Sequence, residues 1–201
     1  MKAVKGNRLQ TVVALSFSPN GDKIACGNLK NTIVILDVQS GMEIRKFTNF
    51  SIIKYSIVIT SVVFSHKGDK IVFSAKAKFG EYQYASYVSP IIVWDVNTGN
   101  ELKRFVGHTD HVTAIVFFPN EEKIVSGSLD KTIRMWDINN KMQVKKFKNK
   151  KIIVKCVEFF PNGKMFATGS AKLWDESSPI AIKIWDIETG KEIQSLYGHK
   201  D

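Results

Sequence analysis

Apolar and polar residues alternate with period two along short stretches of this chain, and no 3.6-residue periodicity persists between them. Thr132-Ile133-Arg134-Met135-Trp136 and Ile182-Lys183-Ile184-Trp185 each place every second side chain on one face, which predicts strands with one well-buried side. Between short β-branched runs stand Pro19-Asn20-Gly21-Asp22, His66-Lys67-Gly68-Asp69 and Pro161-Asn162-Gly163. In such tight turns Gly or Asn takes positive φ, so the flanking runs are expected to fold back as hairpins.

The same order of features returns four times: an alternating stretch ending in Phe, a turn, a second stretch, another turn, and a third stretch closed by an apolar residue and Asp. Phe17, Phe64, Phe117 and Phe159 are the anchors; Leu36-Asp37, Trp94-Asp95, Trp136-Asp137 and Trp185-Asp186 are the closing pairs. The basic period is about 42 residues. Ser40-Gly41, Thr98-Gly99, Asn139-Asn140 and Thr189-Gly190 follow the closing pairs, and a fourth strand such as Glu101-Leu102-Lys103-Arg104-Phe105 comes next. Each unit therefore reads as a four-stranded antiparallel meander. A sheet of that kind cannot bury two partly apolar faces alone, so successive sheets must stack face to face, and radial stacking gives a propeller.

Gly107-His108 followed by the run from Ile124 through Ser126-Gly127-Ser128-Leu129-Asp130 to Trp136-Asp137 resembles a full WD40 repeat, and the likeness spans about residues 4 to 199. The resemblance implies an all-β fold, a β-propeller of four-stranded antiparallel blades in one WD-repeat domain. Its four repeats cover about 8–47, 55–105, 107–147 and 150–197, and 198–201 opens a further one. The family most often closes with seven blades. Three arrangements are open: a piece of a longer ring, which is preferred, two copies paired into a larger ring, or four blades closed under strain. His108, Ser126 and Asp130 imitate a hydrolase triad, but the resemblance assigns them, with Trp136, to an internal hydrogen-bonded tetrad. Elsewhere the set is incomplete: Cys26 and Thr168 stand at the Ser126 position, Lys30 at that of Asp130, and Arg8, Tyr55 and Lys150 at that of His108. Those blades are expected to rely mainly on apolar packing.

With 44% apolar and 24% charged residues in 201, the chain is globular in composition, and no apolar run reaches the roughly 18 residues of a membrane span. The N-terminus lacks the apolar segment of a secretory signal. An intracellular protein, cytoplasmic or nuclear, is expected, with Cys26 and Cys156 as small buried apolar residues. No phosphate-cradling glycine loop or H-E-x-x-H occurs, His108-x-x-His111 lacks a third ligand, and no cofactor or metal is expected. A net charge of +10 favours acidic partners. The resemblance implies that inserts at Ala75 to Pro90 and Ala171 to Pro179 lie on one rim with the Lys148 to Lys151 stretch. There Phe79, Tyr82, Tyr84, Tyr87, Leu173 and Trp174, beside Lys148, Lys150 and Lys151, form a candidate partner-binding rim. The resemblance implies a non-catalytic scaffold for protein–protein interactions in a multi-subunit assembly. RNA or anionic-lipid binding through the rim is the alternative, and self-association through exposed blade edges is a further expectation. Repeat three, which alone holds the full tetrad, is expected to be the best protected in amide hydrogen exchange. Repeat-three amides exchanging as fast as those of repeat one would remove that expectation.

Overall fold

The computed structural model describes residues 11–29, 31–48, 57–79, 86–148, 153–171 and 181–197. Blade one comprises β1 (Val12–Phe17), β2 (Lys23–Asn28), β3 (Ile33–Asp37) and β4 (Glu43–Phe47). Blade two comprises β5 (Ile57–Phe64), β6 (Lys70–Phe79), β7 (Ser86–Val88), β8 (Ile91–Asp95) and β9 (Glu101–Phe105). Blade three is β10 (Val112–Phe117), β11 (Lys123–Ser128), β12 (Thr132–Asp137) and β13 (Met142–Lys148). Blade four is β14 (Ile153–Phe159), β15 (Met165–Ala171), β16 (Ala181–Asp186) and β17 (Glu192–Tyr197). Strands pair in chain order within each antiparallel sheet, apart from β7, which pairs with β6 alone. Among the described residues there is no helix.

Two irregularities recur in every blade. The innermost strand slips register between Val12 and Ala14, Ile59 and Ser61, Val112 and Ala114, and Val154 and Cys156. The outer pair slips just before the closing apolar residue, at Leu36, Trp94, Trp136 and Trp185. A bulge inserts one unpaired residue and resets which face the following side chains take. This corrects the expectation for Cys156: the bulge leaves Ile153 and Val154 both buried and turns Lys155 and Cys156 both outward, so Cys156 is exposed while Cys26 is buried.

Hydrophobic clusters lie between the sheets rather than inside them. Ala25, Ile33, Ile35 and Phe47 of blade one meet Ile59, Val62 and Phe64 of blade two. Val72, Ile91 and Phe105 meet Val112, Ile115 and Phe117, and Val125, Ile133 and Phe147 meet Val154, Val157 and Phe166. The inner strands β1, β5, β10 and β14 neighbour one another in series, so the blades fan about a shared axis; β14 makes no comparable contact with β1. The array is open, and four-bladed closure under strain is not the arrangement it adopts.

Close approach of the blades depends on missing side chains. A Cβ at Gly27 would lie 3.1 Å from Ile59 Cβ, and one at Gly127 3.0 Å from Val154 Cβ, with the nearest γ-methyl overlapping in each case. The next blade's branched residue thus fills the space of an absent methyl. Polar ties supplement this packing. Arg45 of β4 donates to the Asn97 and Thr98 carbonyls in the β8–β9 turn, and Lys145 of β13 donates to the Ile187 and Glu188 carbonyls in the β16–β17 turn. Glu121, at φ 60 where the other inner turns have glycine, accepts from the Lys67 amide at 2.6 Å. Apolar packing is therefore joined by a polar contact at each junction, more than the sequence pattern suggested.

The repeat-two insert is not simply a loop. β6 continues beyond its pairing with β8, and β7 pairs back on it at Ala77, Lys78 and Phe79, so an antiparallel arm extends from the sheet. At its base Ser74 Oγ lies 3.1 Å from Ser89 Oγ and donates to the Pro90 carbonyl, and Ser89 Oγ accepts from the Val112 amide of blade three at 3.0 Å. Gly127→Ala should lose about 1–3 kcal/mol of stability in urea unfolding, because the added methyl overpacks the blade three–four junction. A loss no larger than for an exposed-strand Ala substitution would contradict this packing.

Candidate functional site

The residues that mimic a hydrolase meet where the β11–β12 turn folds over the entry to β10. Lys131 takes φ 63 to tighten that turn and bring Asp130 back towards His108. His108 Nδ1 is 2.8 Å from Asp130 Oδ2, and Nε2 is 2.8 Å from Ser126 Oγ. Trp136 Nε1 donates to the same Ser126 Oγ at 2.9 Å. With Asp130 ionised and the imidazole neutral, one direction of donation satisfies every member: indole N–H to Ser126, Ser126 O–H to Nε2, and Nδ1–H to the carboxylate. Gly107 is required here because a Cβ would lie 3.0 Å from Trp136 Cη2.

Burial pushes the His108 imidazole below its usual range, outweighing the bond to Asp130, and the Arg134 and Lys146 charges act in the same direction as burial. For Asp130 burial alone would raise the carboxyl. It is overcome by the hydrogen bonds and charge of His108, the Thr132 hydroxyl and the Thr109 amide, which hold the group far below the carboxylate range. Ser126 is fully buried, donates its proton to His108 and accepts the Trp136 indole N–H on one lone pair, so its hydroxyl is not presented to solvent.

Sequence reasoning missed two members. Thr132 Oγ1 contacts Asp130 Oδ1, and buried Arg134 donates to Gln143 Oε1 at 2.8 Å while its guanidinium sits 5.9 Å from the Trp136 ring. A charged residue at the centre of an otherwise apolar strand was the available signal. The role of the closing Asp was also missed: Asp37, Asp95, Asp137 and Asp186 each accept the amide three residues on, at 2.7 Å, and so cap the outer turn.

The other blades carry reduced versions. In blade four Trp185 Nε1 donates to Thr168 Oγ1 at 3.0 Å. In blade two Phe73 occupies the Ser126 position and meets Trp94 edge-on, with ring centroids 5.5 Å apart. Blade one has Cys26 beside Val34 there. Arg8, Lys30, Tyr55 and Lys150 lie outside the described residues.

The WD domain, G-beta repeat family model matches residues 99–137 and 141–176. Over 121 residues the chain is 28% identical to WD repeat-containing protein 82 of Drosophila melanogaster, and over 134 residues 27% identical to a guanine nucleotide-binding protein subunit beta of Zea mays. These alignments take in 60% and 61% of this chain but 34% and 32% of the relatives, so the chain spans about a third of the length of the curated relatives it matches. Solved structures of U3-55K and of the RRP9 WD40 repeats superpose with TM-scores of 0.77 and 0.78 at 16% identity, over 97% of this chain and 54% and 53% of theirs. The chain thus carries matched WD repeats in a WD40-type propeller fold. WD-repeat propellers generally mediate protein–protein interactions.

The WD-repeat unit and the blade are out of step. The matched unit 99–137 opens just before β9, the outer strand of blade two, and closes with β12 of blade three. Of the candidate rim, Phe79 ends β6, Tyr87 lies on β7 opposite Lys78, and Lys148 ends β13 opposite Thr132. Tyr82, Tyr84, Lys150, Lys151, Leu173 and Trp174 lie outside the described residues. Among the described residues no group of three or more His, Cys, Asp or Glu is placed to hold a metal ion, and no helix is long and apolar enough to cross a membrane.

Folding favours the unprotonated form of both His108 and Asp130, so the unfolded chain binds protons more readily than the native one. Stability from His108 is whole above about pH 6.5 and drains away below it; that from Asp130 is whole above about pH 3.9 and follows at lower pH. The melting temperature should therefore fall on acidification from about pH 7 to pH 5, and His108→Gln should start lower and fall less steeply. His111, also held low by burial and by Lys76, keeps part of the slope. A variant with the native slope would contradict this assignment.

Proposed function

We propose that this WD-repeat chain is a non-catalytic scaffold that engages protein partners in a multi-subunit assembly, with the β6–β7 arm and the neighbouring connections as its docking rim. The observation that carries the reading is the closed hydrogen-bond circuit at Ser126. The only triad-like set that sequence reasoning singled out is spent on holding a buried Trp and leaves no accessible nucleophile. The arm supports the second half of the reading, because a rigid sheet that carries a strand pair past its own edge offers a projecting contact surface. One relative is, by its name, a subunit, which supports membership of an assembly. Free Cys26 and Cys156 support an intracellular setting.

A second reading, attachment to RNA or anionic lipid, is supported by the net charge of +10. It draws on fewer lysines than the sequence count suggests, since Lys145 is tied to the carbonyls of the next blade.

The test replaces residues 77–88 with an Asn-Gly turn, leaving the Ser74–Ser89 contact and the four sheets in place. Proteins cross-linked to the native chain in its own cells are expected to be lost from the variant while the far-ultraviolet dichroism is unchanged. Retention of the same proteins would overturn the rim assignment. Binding to a single-stranded RNA oligomer or to phosphatidylserine vesicles that falls steeply with salt, and that persists without any protein partner, would favour the second reading.

A further inference from the structure

Each junction sets an outer-strand cation of one blade against the outer face of the next, and the three junctions do not balance that charge alike. Between blades one and two, Arg45 is seated on the carbonyls of the β8–β9 turn and Arg104 is paired with Glu101. Between blades three and four, Lys145 is seated on the carbonyls of the β16–β17 turn, and Lys183 Nζ lies 2.8 Å from Glu192 Oε2. All four cations have a protein acceptor, and each junction holds a carboxylate.

The junction of blades two and three departs from this at three positions. Register puts Gln143 opposite Trp136 where Glu101 stands opposite Trp94 and Glu192 opposite Trp185. An amide thus replaces the carboxylate, and Arg134 already donates to it. Lys146, at the position of Arg104, is exposed. Lys103 is the equivalent of Arg45 and Lys145, but the turn it would cap carries a side chain in the cation's place. A Cβ at Gly99 would lie 2.7 Å from Arg45 Nη1 and one at Gly190 2.9 Å from Lys145 Cε; blade three has Lys141 at that position, at φ 57. Among the described residues neither Lys103 nor Lys146 has a hydrogen-bond or ion-pair partner. Asp130, the buried carboxylate of this blade, is committed to His108 and Thr132.

We propose that the outer groove between blades two and three, with the edge of β13, binds an extended acidic segment of a partner protein. Lys141 and Lys146 stand five residues apart, roughly 16 Å along a strand, which is too far to converge on one phosphate and suits a row of carboxylates. Met142 and Val144 lie between them, 54% and 43% exposed, and offer cover to apolar residues of the same segment. β13 ends its sheet, so its outer backbone groups are open to an extended chain. Phe105 and Phe147 are each 3% exposed, so these outer strands present no ring on which nucleic-acid bases could stack. The site uses no residue of the β6–β7 arm, and the rim reading can fail without it.

Fluorescence anisotropy of a short labelled peptide of Glu, Asp and Leu tests the site, against the same peptide with Gln and Asn for its acids and against a labelled uridine oligomer. The acidic peptide is expected to bind the native chain with an affinity that falls as salt rises, and the amide peptide is not. Lys103→Gln combined with Lys146→Gln should weaken binding roughly tenfold. Gln143→Glu should weaken it too, because it supplies Lys146 with the internal partner that Glu101 gives Arg104 while still accepting from Arg134. Lys46→Gln, the equivalent of Lys146 on β4, should leave the affinity unchanged, and far-ultraviolet dichroism should be native for all three variants. No binding of the acidic peptide, equal binding of the amide peptide, or indifference to Lys103 and Lys146 would overturn the proposal. Tighter binding of the uridine oligomer, lost in the same double variant, would overturn it by assigning the groove to RNA.

Discussion

A four-stranded sheet about as wide as it is long has two faces and no thickness of its own, so any apolar residue it carries stays wet until another sheet lies on it. That constraint governs this chain. Among the described residues every hydrophobic cluster belongs to two blades. Central strands accordingly read as nearly continuous apolar runs, as in Ile91-Ile92-Val93-Trp94, because both of their faces must be covered. Stability is divided into junctions rather than collected in a central core, and each junction is worth the burial of several side chains at about 1.5–3 kcal/mol apiece.

The polar groups make sense against that background. Burying Ser126, His108, Asp130 and Arg134 together is costly unless their polar groups find partners, and in blade three each of the four side chains has at least one. The other blades put smaller or apolar groups at the corresponding positions and keep the same architecture. The tetrad is therefore an addition to a fold that packing already specifies. Arg45 and Lys145 show a second economy: a cation on the outer strand of one blade closes the carbonyl end of the next blade's turn, so the same residue orients its neighbour and satisfies exposed backbone acceptors.

Strand existence, hairpin turns and the four-fold repeat were legible because they rest on local chemistry: alternation, Asn-Gly turns and the apolar residue before each closing Asp. What was illegible depends on neighbours. The bulge before Cys156 has no composition of its own, since Ala14, Ser61 and Ala114 stand at the corresponding step elsewhere. Glu121 adopts a glycine conformation while its carboxylate reaches across to the Lys67 amide, a contact invisible without the adjoining blade. The arm is hard to see in the sequence because Gly80 to Ala85 interrupts the pattern, although Lys76, Ala77 and Lys78 alternate as a strand should.

The offset between the matched unit and the blade has a consequence for how such chains lengthen. A unit that begins with the outer strand of the preceding blade and ends inside its own always leaves one place vacant for its successor's first strand. Units overlap like roof tiles, and each is fastened by the one laid after it. Adding or removing a whole unit then preserves full pairing at every internal seam, because the newcomer completes its predecessor's sheet and is completed by its follower. The number of tiles can change without redesigning any of them.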